Sequence, residues 1–168
     1  MDQAAAPSGG KRRTPAEIEA ELGHVGNGSD ANDFVNSDHY TDPNLAEEFV
    51  EGTGCGSLAI AVGNAHGPYV KVPNLDMERI KACREAVSVP LVMHGGSGVS
   101  DDDYRKAIDA GIRKINYYTY GVKFAGVAVR AMVAEKEAAS PDAVVYWHDM
   151  TTTAYERLLA DFTSVIKV

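Results

Sequence analysis

Cysteine is nearly absent from this chain. Cys55 and Cys83 stand alone, in contexts that read as a loop edge and a helix, and no Cys-x-x-Cys pair exists to suggest thiolate zinc or redox chemistry. The expected setting is therefore a reducing, cytoplasmic one. Positive charge is also scarce: 16 Lys and Arg against 24 Asp and Glu leave a formal charge of −8. That balance excludes a broad nucleic-acid or anionic-membrane surface, although an acidic protein can still build a local positive pocket for a phosphate. No apolar run approaches the roughly 20 residues of a membrane helix, and the opening Met1 to Arg13 lacks the apolar region of a signal peptide. The expected partners are small molecules or other proteins, with no nucleic acid and no membrane. The remaining composition, 45% hydrophobic over 168 residues, is enough for one domain with a sizeable core.

The chain does contain alternating strand and helix signals. Residues 1–14, rich in Ala, Gly, Ser and Pro, read as a flexible tail ahead of a folded part spanning 15–168. Ile18 to Leu22 alternates apolar and charged residues, as a strand does, and stops at Gly23. The polar segment from His24 to Tyr40 is too long for a plain connection and reads as an active-site lid. Asp42 followed by Pro43 predicts a helix start, with Leu45, Phe49 and Val50 on the apolar side and a stop near Gly52 to Gly54. Ser57 to Val62 is the second strand. Asn74 or Asp76 caps a helix carrying Met77, Ile80, Cys83 and Val87, and the third strand begins at Pro90. Ser100, with three aspartates behind it, starts a helix that Gly111 ends. Ile112 to Asn116 is the fourth strand. After Gly121 one helix turns Val122, Ala125, Val129 and Met132 inward, and a last one turns Ala154, Leu158, Phe162 and Val165.

Repeated strand-then-helix units mean parallel strands with helical crossovers, in a doubly wound sheet or a (β/α)8 barrel. The chemically suggestive clusters all follow strands directly, which favours the barrel. A whole barrel takes roughly 250 residues and eight units. Four are present, so the fold class expected is α/β, as the last four βα units of a (β/α)8 barrel. Such a half-barrel leaves edges unpaired and its inner face, including Leu58, Ile60, Val62 and Val92, without an opposite wall, which predicts self-association into a homo-oligomer or association with a missing N-terminal half.

Two apolar runs end in a histidine followed by glycine: Ser57 to Val62 leads to Gly63-Asn-Ala-His66-Gly67, and Pro90 to Met93 leads to His94-Gly-Gly-Ser-Gly98. Strands that finish this way place His66 and His94 on one rim of a sheet, suited to one divalent metal with a phosphate beside it. Glycine lets backbone donors approach a phosphate closely because no Cβ blocks the path. Gly67, Gly95, Gly96 and Ser97 fit that need, as does the stretch Asn116, Tyr117, Tyr118 and Thr119 after the fourth strand. Lys71 is a further phosphate-partner candidate.

Five segments, Glu19 to Gly23, Tyr40 to Pro43, Ser57 to Tyr69, Pro90 to Gly98 and Lys114 to Thr119, together resemble the C-terminal half of the class II, metal-dependent fructose-bisphosphate and tagatose-bisphosphate aldolases. The resemblance implies reversible aldol cleavage of a phosphorylated ketose such as fructose 1,6-bisphosphate to dihydroxyacetone phosphate and an aldehyde phosphate. It implies zinc as the metal, His66 and His94 as ligands, Glu21 as the carboxylate beside the metal, Asn116 against the enediolate portion and Thr119 against the phosphate. The chain departs from the family at Tyr117, Tyr118 and Tyr120, where a family phosphate stretch reads Asn-x-Asp-Thr or Asn-x-Asn-Thr. In the lid, Asp30 or Asp33 stands where many relatives carry proton-transferring glutamates. The third zinc histidine and the proton-transfer aspartate belong to the first half of the family pattern, and His24, His39 and His148 do not replace them. The expected activity is that of an aldolase needing its other half. The alternatives are a non-catalytic half-barrel or assembly module with a partial metal or phosphate site, and a phosphate-binding barrel of another reaction class such as an isomerase.

Overall fold

The computed structural model describes residues 17–30, 32–33, 37–140 and 142–168; the expected tail at 1–14 lies outside the described residues. In chain order the elements are β1 (Glu19–Leu22), β2 (Gly26–Asn27), a 3-10 turn (Ser37–His39), α1 (Pro43–Thr53), β3 (Ser57–Ile60), β4 (Ala65–His66), α2 (Met77–Ala86), β5 (Leu91–Met93), α3 (Asp101–Ala110), β6 (Ile112–Ile115), α4 (Thr119–Ala139) and α5 (Trp147–Ile166). The four expected strands form one parallel sheet in the order β1-β3-β5-β6, and β2 pairs in parallel with β4. The chain divides into two compact units between Asn116 and Tyr117.

In the first unit the side-chain pattern separates inner from outer strands. β5 is apolar and buried throughout, and β3 is so after Ser57, whereas β1 and β6 mix charged, exposed positions with apolar ones. Strands covered on both faces need continuous apolar runs; edges do not. The register aligns Ala20, Leu58, Leu91 and Ile112 in one row and Glu21, Ala59, Val92 and Lys114 in the next. Rows alternate between the two faces of a sheet. The expectation that Leu58, Ile60, Val62 and Val92 lack a wall is corrected: all four are fully buried. Leu58 and Ile60 project away from the Glu21 row, and the buried helix residues Ala46, Val50, Ile80, Cys83 and Ala107 complete the core. Each fully buried aliphatic side chain contributes roughly 1.5–3 kcal/mol. Burial also pushes the Cys83 thiol up to about 11, in keeping with a packing role rather than a reactive one.

Helix starts follow the expected residues. Asp42 accepts from the Asn44 amide, Asp76 rather than Asn74 accepts from Arg79, and Ser100 accepts from Asp103. The apolar-side expectation fails at Leu45 and Val122, both exposed, and holds at Val50 and Ala125, both buried; Ala46 is a further buried position of α1. β3 ends at Ile60 rather than Val62 because side chains claim its last backbone groups: Thr41 Oγ1 accepts from Ala61, and Asn64 Oδ1 accepts from Val62.

The second unit is the pair α4 and α5. Gly121 permits close approach, since a Cβ there would lie 2.6 Å from the Phe162 ring. The Tyr117 hydroxyl donates to the buried Asp161 at 2.7 Å, and its ring meets Phe162 edge-on. Asp149 accepts from Lys136 and from the Tyr146 amide at the start of α5. These bonds, that from Lys136 foremost, hold its carboxyl below the ordinary value of 3.8. A depressed carboxylate contributes stability above its unfolded pKa and loses it as pH falls through the folded value. Asp149→Asn is therefore expected to lower the thermal midpoint at pH 7, with the gap to the parent narrowing below about pH 3.8; thermal unfolding at both pH values checks this.

Candidate metal centre

Strand periodicity puts Glu19 and Glu21 of β1 on the same face, and His94 immediately follows β5. The His94 ring lies between the two carboxylates, with Nδ1 2.6 Å from Glu21 Oε2 and Nε2 3.1 Å from Glu19 Oε1. Glu19 also pairs with Lys114 of β6 at 2.7 Å. His66, in β4, faces the His94 ring at a centroid distance of 5.6 Å. One ligand atom each from Glu21, His66 and His94 falls within 4.8 Å of the others. Partial burial raises the Glu19 carboxyl, but hydrogen bonds from Lys114 and His94 outweigh it and leave the group below its usual range.

Two polar side chains fix the loops that carry the histidines, and sequence reasoning assigned neither a role. The buried Asn64 amide donates to Ile60 O at 3.3 Å and to His94 O at 2.9 Å, tying the turn after β3 to the end of β5. The Tyr69 hydroxyl accepts from the Ala65 amide at 2.7 Å and donates to Gly95 O at 2.8 Å. Both residues lie in the segment around His66, where a polar residue beside a histidine is the only available signal. Gly95 has φ +64°, and a Cβ there would sit 1.9 Å from Ala65 O. Glycine is required for the two turns to touch.

Two imidazoles and a carboxylate are a donor set suited to zinc. Ligands of one tetrahedral ion at about 2.1 Å stand roughly 3.4 Å apart, and ligand atoms of Glu21, His66 and His94 lie within 4.8 Å of one another, an ion taking the place of the Glu21–His94 hydrogen bond. The residues present fit the metal.

The other expected positions divide. Gly67 is half-buried with φ +87°, and Ser97 is buried. The Gly96 amide donates to Asn116 O at 3.0 Å, so its hydrogen is committed within the protein. Asn116 is exposed and closes the first unit, its amide bonded to Met93 O. Tyr117, Tyr118 and Thr119 open the second unit, where Tyr117 is engaged by Asp161, Tyr118 is largely exposed and Thr119 is the first residue of α4. Asp30 accepts from Asn32 in a local turn. Asp33 accepts from the Asn27 amide and pairs with His24, outside the Glu21 group. Lys71 is exposed.

Asn64→Ala leaves buried partners unsatisfied and is expected to cost about 2–3 kcal/mol in denaturant unfolding, together with weaker zinc binding by calorimetry. Gly95→Ala is expected to be worse than Gly54→Ala: both sites have φ +64°, but a Cβ at Gly54 meets open space. The Gly54 change is expected to cost about 1–2 kcal/mol and to leave zinc binding intact.

The family model described as fructose-bisphosphate aldolase class-II matches residues 11–167. An Escherichia coli K12 protein, the uncharacterized protein YdjI, is 55% identical over 113 residues, which are 67% of this chain and 41% of that protein. The crystal structure of the YdjI aldolase from E. coli K12 superposes with a TM-score of 0.69 at 40% identity, covering 90% of this chain and 48% of the other. That of a putative fructose-1,6-biphosphate aldolase from Coccidioides immitis gives a TM-score of 0.67 at 27% identity, covering 90% and 52%. The chain thus spans about half the length of these relatives, and its parallel sheet with flanking helices is part of a (β/α)8 barrel. No helix among the described residues is long and apolar enough to cross a membrane. The chain belongs to the class II fructose-bisphosphate aldolase family.

Proposed function

We propose that this chain supplies the metal-binding and phosphate-binding rim of a zinc-dependent aldolase that reversibly cleaves a ketose bisphosphate to dihydroxyacetone phosphate and an aldehyde phosphate. The observation that carries the reading is the convergence of Glu21, His66 and His94 from three separate segments of the chain. Zinc bound by this set would polarise the substrate carbonyl and stabilise the negative charge that develops on its oxygen.

The chain's own groups do the positioning. Asn64 and Tyr69 hold the two histidine turns together, so the imidazoles need little reorganisation to act as a pair. Glu19, kept ionised by Lys114, helps orient His94. For the phosphate, Gly67, Gly95, Ser97 and Asn116 are the candidates within the first unit, Gly96 contributes shape rather than a donor, and Thr119 is a candidate on the family resemblance alone. Tyr118 is a further candidate for contact with substrate, whereas Tyr117 supports the helix pair. Proton transfer to and from the leaving oxygen is assigned to a complementary half-barrel. Asp33 is already engaged by His24 and Asn27, and Asp30 by Asn32.

The test is a coupled aldol-cleavage assay with fructose and tagatose 1,6-bisphosphates, on the chain with and without a supplied N-terminal half. Lack of a general acid/base group costs roughly 100- to 10,000-fold, so the chain alone is expected to show little turnover. Addition of the complementary half should restore activity, and His94→Ala or a chelator should abolish it. Full activity in chelator would refute the aldolase reading, and full activity of the chain alone would refute the need for a second half.

A further inference from the structure

A second group of metal-ligating side chains stands on the segment between β1 and α1. His24 follows β1 after Gly23, Asp33 lies midway, and His39 ends the 3-10 turn. One ligand atom from each lies within 4.8 Å of the other two. The three are held by several bonds rather than by chance proximity of surface chains. His24 Nε2 is 2.9 Å from Asp33 Oδ1, the His24 amide donates to His39 O at 3.1 Å, and the two rings meet edge-on at 5.3 Å. The second Asp33 oxygen accepts from the Asn27 amide at 2.7 Å. The base of the segment is fixed as well: Thr41, two residues beyond His39, is buried and donates to Leu22 O at 2.6 Å.

We propose that His24, Asp33 and His39 form a second divalent transition-metal site, which joins the residue after β1, Asp33 and the end of the 3-10 turn. Two imidazoles and one carboxylate favour zinc, cobalt or nickel over calcium or magnesium, which prefer all-oxygen sets. Three protein ligands leave at least one position for water. The His24 side chain is 56% exposed, so an ion can enter from solvent without unfolding the segment. Since the ion binds only where the three side chains are together, occupancy stabilises their juxtaposition by linkage.

Cobalt titration with visible absorbance, and zinc counting by elemental analysis after dialysis, test the site on the full chain. The variants are His24→Gln/His39→Gln and, separately, His66→Ala/His94→Ala. The second variant is expected to retain one ion, and zinc is expected to slow proteolysis within 24–39 in it. The first variant is expected to lose that ion, with affinity at this site down by more than about 100-fold, beyond what loss of an outer-shell partner costs. Asp33→Asn, which preserves shape, should weaken binding with an unchanged circular dichroism spectrum. The proposal is overturned if His66→Ala/His94→Ala binds no ion while still folded, or if the His24/His39 and Asp33 variants keep the parent's stoichiometry and affinity. Because each centre is removed separately, failure of one is distinguishable from failure of the other.

Discussion

Curvature of the four-stranded sheet is the constraint on which the candidate centre depends. β1 and β6 are separated by two strands, which on a flat sheet means about 14 Å, yet Glu19 and Lys114 form an ion pair at 2.7 Å. On a flat sheet both side chains would have to lie fully extended along the surface to meet, so the pair fits a concave face. The same concavity lets Glu19 and Glu21 of β1 reach His94 beyond β5, across the whole width of β3. What lies between is small: Ala59 stands in the row between Glu21 and Val92. A large side chain there would fill the hollow and separate the carboxylates from the imidazole. The charged contacts and the small residue therefore express one geometric requirement, that of a barrel wall bent toward its own axis.

Much of this arrangement was legible in the sequence, and the parts that were not have physical reasons. β3 and β5 announce themselves because strands buried on both faces need unbroken apolar runs, and His66 and His94 stand out because glycine follows each. The caps at Asp42 and Ser100 were equally visible, since a side-chain oxygen ahead of a helix has a specific backbone partner. Which side of β3 faces the helices was misjudged: in a run such as Leu58-Ala-Ile60 every residue is apolar, so hydrophobicity carries no direction, and only the register against Glu21 supplies it. The two-residue pairing of β2 with β4 left no pattern to read. Asn64 and Tyr69 were hidden for another reason. Each acts by bonding to backbone carbonyls and amides of residues distant in the chain, and a backbone group looks the same at every position.

The two candidate parts of the site, the histidine turns and the glycine turns, are held by different kinds of rigidity. The histidine turns are bridged by the side chains of the buried Asn64 and the half-buried Tyr69, so their placement depends on those bonds. The glycine turns are fixed by close backbone packing, as the contact of Gly95 with Ala65 requires. A substitution at Asn64 loosens the first kind alone, whereas a Cβ at Gly95 pushes the two turns themselves apart.

Gly23 links the two proposed metal groups. It lies between Glu21, which faces His94, and His24, which faces Asp33 and His39, and it adopts φ +92° with a would-be Cβ 2.8 Å from Thr41 Oγ1. A strand continuing straight would carry position 23 onto the Glu21 face and His24 onto the other. The left-handed turn at glycine instead ends the strand and sends His24 into the segment that returns to Thr41. Thr41 in turn bonds both Leu22 and Ala61, at the ends of β1 and β3. Only Leu22 and Gly23 separate Glu21 from His24 in the chain, and Thr41 ties the ends of β1 and β3 beside them, so both groups of ligating side chains are built on the same strand end.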